Sequence, residues 1–138
     1  MKWLRNIIAF IAVGGTLFLA SCAKEDNNNS TAGDDRDKFT GTWTANETSQ
    51  QHGSSTYTMT ISKDVTSASQ VIAKNFYALG NSTNTIIVVD GNNMTIQSQS
   101  VSGNTLSGTG SYSNGNLTLH FSADDGQTVD QVTVNAHH

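Results

Sequence analysis

Apolar and polar residues alternate along several short segments of this chain. TYTMTIS, residues 56–62, places Tyr57, Met59 and Ile61 on one face and threonine or serine on the other. NLTLHFS, residues 116–122, repeats the pattern with two leucines and a phenylalanine. A period of two residues is typical of a β-strand that buries one face. These segments therefore predict half-buried strands.

Turn residues separate the alternating segments at regular intervals. Five glycines are spaced 11, 12, 12 and 11 residues apart, several of them beside asparagine: Gly80, Gly91, Gly103, Gly115 and Gly126. Glycine and asparagine tolerate the positive φ angles of tight hairpins. We predict eight strands, at residues 39–47, 56–63, 70–77, 84–90, 93–99, 104–113, 116–123 and 128–135. Strands three and four, QVIAKNFY and TIIVV, alternate less cleanly, which predicts a bulge or burial on both faces there.

Hairpin-length connections throughout predict an all-β fold, in which an eight-stranded antiparallel meander closes into a small barrel. A two-sheet sandwich is the alternative, but it needs a long crossover for which the even spacing leaves no room. A barrel of this size holds either a packed core or one small ligand. The aromatic residues of the inward face, Trp43, Tyr57 and Tyr112, are the candidate ligand-binding residues, and simple core packing is the alternative for each.

The first 21 residues have the organisation of a signal peptide. Lys2 and Arg5 precede an apolar run at residues 7–19, and the small residues Ala20 and Ser21 follow it. Such a run is shorter than the roughly 20 apolar residues that a membrane-spanning helix needs. An uncleaved anchor helix is the alternative interpretation.

Cys22 is the only cysteine of the 138 residues and directly follows this segment. The sequence LASC, which ends at Cys22, resembles the lipobox of bacterial lipoproteins. The resemblance implies cleavage before Cys22, acylation of its thiol, and a membrane partner reached through the acyl chains. Stable anchoring takes more than one such chain.

Residues 22–37 are predicted to form a disordered tether, because they contain no apolar residue larger than alanine after the cysteine. Within it, Lys24, Glu25 and Asp26 resemble the export signal that sends Bacteroidetes lipoproteins to the outer face of the outer membrane; an ordinary charged linker is the alternative. The expected location is the outer membrane, facing either the cell surface or the periplasm. The barrel domain is predicted to occupy residues 38–138.

The first predicted strand carries a second resemblance. Phe39-x-Gly41-x-Trp43 is similar to the opening of lipocalin-type barrels, in which the tryptophan closes one end of the interior. Together with the lipobox, the NFYALG segment (75–80) and the hairpin at 108–122, it resembles the small lipocalin-like, calycin-type lipoproteins of Bacteroidetes. Lipocalins also place an arginine from the end of the barrel against this tryptophan, whereas no arginine follows Arg36 here.

Charge and polar residues exclude several functions. The formal charge is -4 and the basic residues are scattered, so nucleic acid is not an expected partner. Glu47 is the only glutamate of the predicted barrel, and no second carboxylate is nominated beside it. His120 is expected to face solvent, and His137 and His138 to form a frayed tail. We therefore expect no catalytic residues, no metal site and no cofactor.

The sequence favours a non-enzymatic binding or interaction module. The loops at residues 49–55 and 63–69 are expected to gather at an open rim, where a small apolar ligand or a protein or glycan partner would bind. The alternative is a calycin-like inhibitor or a structural envelope component, with a packed barrel and no small-molecule ligand.

Overall fold

The computed structural model describes residues 33–138. The predicted signal peptide, Cys22, and the export-signal residues Lys24, Glu25 and Asp26 lie outside these residues. Within residues 33–138, no helix combines the length and the apolar character needed to cross a membrane.

Eight antiparallel strands form a closed barrel, and each pairs with the next along the chain while the last pairs with the first. This confirms the predicted all-β, eight-stranded meander. The strands are β1 Gly41–Ser49, β2 Gly53–Lys63, β3 Gln70–Lys74, β4 Asn84–Asp90, β5 Asn93–Val101, β6 Asn104–Ser113, β7 Asn116–Asp124 and β8 Val129–His137. Two one-turn 3₁₀ helices accompany them: η1, Asp37–Phe39, precedes β1, and η2, Phe76–Ala78, lies between β3 and β4.

The connections alternate between the two ends of the barrel. The end that carries η2 also holds the turns β1–β2, β5–β6 and β7–β8, whereas the end that carries η1 holds β2–β3, β4–β5 and β6–β7. Residues 49–55 and 63–69 therefore lie at opposite ends, and the expectation that they gather at one rim is wrong. In an up-and-down meander, successive connections cannot share an end.

Strand β4 alternates more cleanly than its sequence suggested. Thr85, Ile87 and Val89 are buried, whereas Ile86 points outward and is 43% exposed. The expected burial on both faces is thus wrong for β4, and the bulge lies instead in β5, between Ile96 and Gln99. The backbone hydrogen-bond ladder between β4 and β5 stops short of this bulge. Beyond it the Gln99 side chain bonds to the backbone of Ile86, accepting from its amide at 2.9 Å and donating to its carbonyl oxygen at 2.6 Å.

The barrel interior is filled by the inward side chains of all eight strands and by one phenylalanine from each 3₁₀ helix. The largest of those that are essentially inaccessible to solvent are Trp43, Phe39, Phe76, Met59, Ile61, Ile87, Met94, Ile96, Leu106, Leu117, Leu119 and Val71. Packing is close enough that β6 needs glycine: a Cβ at Gly108 would lie 2.4 Å from the Cβ of Phe121, and one at Gly110 would lie 2.4 Å from a methyl carbon of Leu119. Of the two interiors considered, the structure has the packed one.

The folded part begins before residue 38. Arg36 donates from Nη1 to the carbonyl oxygens of Asp64 (2.9 Å) and Ser67 (2.5 Å), and its Nη2 lies 2.6 Å from a carboxylate oxygen of Asp34. Lys63 of β2 forms an ion pair with the same aspartate at 3.0 Å. The last residues of the predicted tether are therefore fixed against the β2–β3 connection, because their charged groups find partners there.

Candidate functional site

Trp43 lies wholly buried at the η1 end of the barrel. Its indole N–H donates to the Phe39 carbonyl oxygen at 2.9 Å, so its one polar atom is satisfied by η1. The ring of Phe39 in turn meets Tyr112 edge-on at 5.9 Å between centroids. These three aromatic residues close this end of the interior.

The Tyr57 hydroxyl points toward the opposite end, where it contacts β1 and η2. The structure therefore does not bring the three candidate ligand-binding residues together: Trp43 and Tyr112 lie near η1, and the polar group of Tyr57 serves the η2 end. Tyr57 and Tyr112 are half-buried and pack against the core. Each of the three has partners from the protein itself.

The C-terminus is ordered, so the expected frayed tail is wrong. His137 pairs with Thr44 in β1, and the ring of His138 lies over the indole of Trp43 with 3.8 Å between centroids. Its Nδ1 is 3.0 Å from the Thr42 carbonyl oxygen. His138 thus covers one face of the Trp43 indole. His120, by contrast, is exposed as predicted.

Gly41 makes room for this stacking. Its φ of +128° is disfavoured for other residues, and a Cβ there would lie 2.9 Å from the His138 ring. The Gly-x-Trp sequence is therefore explained by local packing: a glycine at position 41 leaves space for the His138 ring that covers Trp43.

A buried polar cluster lies at the η2 end, and we call it the Asp130 cluster: Glu47, Ser49, Tyr57, Tyr77 and Asp130. Asp130 is 3% exposed and accepts hydrogen bonds at one oxygen from the hydroxyls of Ser49 (2.5 Å) and Tyr77 (2.6 Å). Its other oxygen accepts from the backbone N–H of Gln51 at 3.1 Å. The carboxylate thereby joins β8, the β1–β2 turn and η2.

Glu47 forms the second half of the Asp130 cluster. It is 6% exposed, and its carboxylate accepts from the Tyr57 hydroxyl at 2.9 Å and from the Ser55 hydroxyl at 3.5 Å. The Tyr57 oxygen itself accepts the backbone N–H of Tyr77 at 3.2 Å. Tyr77 is therefore held through its side chain by Asp130 and through its backbone by Tyr57.

The two carboxyl groups differ in acidity. Burial raises the pKa of Glu47, and the nearby charge of Asp130 adds to the effect. Burial would also raise the pKa of Asp130, but hydrogen bonds from Ser49, Tyr77 and the Gln51 amide outweigh it and lower the pKa overall. Burial likewise raises the pKa of the Tyr57 and Tyr77 hydroxyls, so both stay protonated as donors.

The segment held by this cluster has a strained backbone. Asn75, Tyr77 and Ala78 have φ angles of 56°, 54° and 53°, in the left-handed region that costs a non-glycine residue about 1–2 kcal/mol. Phe76 inserts beneath them and packs against Phe121, with 4.7 Å between ring centroids. Helix η2 is thus a plug that closes this end of the barrel, and the hydrogen bonds of the Asp130 cluster help to offset its strain.

Sequence reasoning missed this cluster, although one signal was available. Asp130 shares the inward phase of β8 with Val132 and Val134, and Glu47 shares that of β1 with Trp43 and Ala45. A carboxylate in phase with apolar residues predicts a buried, partnered charge. In the structure the carboxylate oxygens of Asp130 and Glu47 accept hydrogen bonds from the protein itself. The cluster therefore holds the plug in place. Within residues 33–138, no group of three or more His, Cys, Asp or Glu side chains is placed to hold a metal ion.

Comparison with known proteins supports the fold alone. No protein-family model matches the chain, and no curated protein matches it. Among solved structures, a redesigned beta barrel is similar with a TM-score of 0.53 and 13% sequence identity, over 76% of this chain and 95% of that one. At this identity the likeness shows a shared small-barrel architecture.

Proposed function

We propose that this chain is a lipid-anchored, non-enzymatic lipoprotein of the bacterial outer membrane, which binds a partner through the outer surface of a packed barrel. The packed interior is the observation that carries the binding mode. Side chains fill the space that a lipocalin-type ligand would need, and both ends are closed, by Phe39 and Trp43 at one end and by Phe76 at the other. A partner therefore meets the strands and turns from outside.

The lipobox supports the anchor. Cys22 is followed by ten residues before the first described residue, Gly33, and the folded part starts at the η1 end. A calycin-like inhibitor or a structural envelope component is the second candidate, and the same packed interior favours it over a carrier of small molecules. Both candidate functions are compatible with the lipocalin-like lipoproteins that the sequence resembles.

Replacement of the acylated thiol tests the anchor. The variant Cys22→Ser is expected to lose incorporation of a labelled fatty acid and to appear in the soluble fraction, while its melting temperature stays that of the wild type. Ser30→Ala, in the same predicted tether, is the matched control and should be labelled normally. Continued labelling of Cys22→Ser would refute the lipobox assignment.

The residues Lys24, Glu25 and Asp26 are proposed to select the outer face of the outer membrane. Replacing all three with alanine is expected to protect the chain from protease added to intact cells, without changing its stability. Unchanged protease accessibility would show that these residues form an ordinary linker.

A further inference from the structure

Two rows of uncharged polar side chains cross the outside of six neighbouring strands, β2, β1, β8, β7, β6 and β5. The pairing register aligns one residue from each strand in each row. The first row is Thr56, Asn46, Asn135, Thr118, Ser111 and Asn93; the second is Ser54, Thr48, Thr133, His120, Thr109 and Thr95. We call these twelve residues the neutral face, because they include no Asp, Glu, Lys or Arg.

Charged side chains of the described residues lie elsewhere. They occur around η1 and the β2–β3 connection, on β3 and β4, in the β7–β8 turn, and in the Asp130 cluster. Soluble proteins ordinarily intersperse both signs of charge over their surfaces. The neutral face is therefore a departure from an ordinary solvated surface, and it runs around six of the eight strands of the barrel.

The side chains of the neutral face are partly fixed by one another. Thr56 donates to Asn46 at 3.0 Å, and Thr118 donates to Asn135 at 3.3 Å. The ring of His120 is 3.1 Å from the hydroxyl of Thr133. Since neighbouring strands lie about 4.8 Å apart, the face presents hydroxyl and amide groups at short, regular intervals.

Two adjoining grooves run across this face and meet at His120. One, of about 570 Å³, crosses β1, β8, β7 and β6 and is lined by Thr48, Gln131, Thr133, His120, Ser122 and Ser107, among others. The other, of about 380 Å³, crosses β5, β6 and β7 beside Thr95, Thr109 and Thr118. Together they cross five neighbouring strands, and His120 lines both.

We propose that the neutral face binds a chain of a neutral polysaccharide along these grooves. Hydroxyl and carboxamide groups both donate and accept hydrogen bonds, as sugar hydroxyls do. When a neutral ligand covers this face, no charged protein group loses its water without gaining a partner. Removing water from an unpaired charge costs far more than covering a neutral polar group. Repeated weak contacts along one polymer add through multivalency, so no single strong contact is required. This inference rests on the proposed function only in placing the partner outside the barrel.

A folded protein partner fits the neutral face less well. Protein interfaces are enriched in Tyr, Trp, Phe, Met and Arg at their centres, and none of these occurs among the twelve residues. An anionic polymer would find no positive charge on this face. A neutral chain of repeating sugars matches the absence of charge and the repeat of the rows.

The test measures depletion of the full-length chain, held in detergent, by insoluble neutral polysaccharides: a glucan, a mannan and cellulose. Pectate and heparin beads serve as charged counterparts. We expect saturable binding to at least one neutral polysaccharide and none to the charged ones. The double variant Thr48→Lys/Thr109→Lys places one charge in each groove, at exposed positions whose hydroxyls make no hydrogen bond within the described residues. It should bind about tenfold or more weakly.

A control with one added charge is Asn84→Lys, at an exposed position of β4 away from the neutral face. It should bind as the wild type does, and melting curves of all variants check that the barrel is intact. Binding to none of the neutral polysaccharides, equal binding to charged ones, or undiminished binding of the folded double variant would overturn the proposal. Self-association lost in the double variant would also overturn it, in favour of a second copy as the occupant. None of these outcomes affects the fatty-acid labelling of Cys22, so the proposed anchor stands or falls separately.

Discussion

Tyr77 and Asp130 are 53 residues apart in the chain, yet the Tyr77 hydroxyl donates a 2.6 Å hydrogen bond to the Asp130 carboxylate. This bond joins the plug to the last strand of the barrel, β8, which pairs with β1. Because Tyr77 itself has a left-handed backbone, the bond holds a conformation that local sequence disfavours. The closed end of the barrel thus depends on a contact between distant parts of the chain.

Loss of the Asp130 charge should weaken the plug. Asp130→Asn keeps the shape of the side chain. The hydrogen bonds that the charged carboxylate accepts from Ser49 and Tyr77 become weaker bonds to a neutral amide, and the new amide N–H₂ group faces other donors. We expect the free energy of unfolding to fall by about 1.5–3 kcal/mol in urea titrations at neutral pH. Asp90→Asn, at an exposed carboxylate of β4, is the control and should change it little. Equal effects of the two substitutions would contradict the role given to Asp130.

The two buried carboxyl groups should give opposite pH dependences. The folded-state pKa of Asp130 is lowered, so its stabilisation is present above the pKa of an unfolded aspartate, about 4, and is lost as the pH falls through the folded-state value. The folded-state pKa of Glu47 is raised, so its stabilisation is present below the unfolded pKa, about 4.3, and is lost as the pH rises through the folded-state value.

Variants can separate these two contributions. Relative to the wild type, Asp130→Asn should be most destabilised at neutral pH and less so on acidification, whereas Glu47→Gln should be least destabilised at neutral pH and more so in acid. Unfolding titrations between pH 3 and 7, about the range in which carboxyl groups titrate, measure both differences. Parallel profiles for the two variants would contradict the opposite pKa shifts.

The stacking of His138 on Trp43 should depend on glycine at position 41. Gly41→Ala forces a Cβ within 2.9 Å of the imidazole and imposes a positive φ on alanine. We expect a loss of about 1–3 kcal/mol in the free energy of unfolding, together with a change in Trp43 fluorescence. Gly33→Ala has no neighbour within 4 Å and no strained φ, so it should leave both unchanged. If Gly41→Ala changed neither the free energy of unfolding nor the fluorescence, the His138 ring would not lie over the Trp43 indole.

Thr85 offers a stabilising substitution. Its hydroxyl is buried and has no hydrogen-bond partner among the described residues. Thr85→Val keeps the branched shape and removes the unpaired polar group, so the free energy of unfolding should rise by about 1 kcal/mol. Thr95→Val, at an exposed position of β5, is the control and should have a small effect. A loss of stability in Thr85→Val would show that the hydroxyl has a partner.

Much of the barrel could be predicted because its signals are local. Strand β6 begins and ends where the sequence predicted, at Asn104 and Ser113, since the turns that bound it contain glycine and asparagine. The end of β3 could not be predicted in the same way. The sequence predicted a strand to residue 77, because Phe76 and Tyr77 are strand-forming aromatic residues, but this end is wrong: β3 ends at Lys74, and tertiary contacts bend the following residues into the plug.

The candidate site residues were likewise predictable only where local sequence decides their position. The inward positions of Trp43, Tyr57 and Tyr112 follow from alternation, but which end of the barrel each serves depends on the stagger of the strands and on η1 and η2. The pairing of Tyr57 with Glu47, ten residues earlier in the neighbouring strand, requires the β1–β2 register. Alternation alone gives the face of a residue and leaves its partner undetermined.

We propose that partners bind outside a packed barrel, and the fluorescence of Trp43 tests whether the interior is packed. The variant Trp3→Phe of the full-length chain leaves Trp43 as its only tryptophan. Trp43 is 0% exposed, so its emission should be shifted to short wavelength, lose that shift on unfolding, and stay unchanged as apolar compounds are added. Removal of the side chain, as Trp43→Ala, should cost about 3–5 kcal/mol. A saturable change of native Trp43 emission with an apolar compound would show an interior ligand site and would rule out a fully packed barrel.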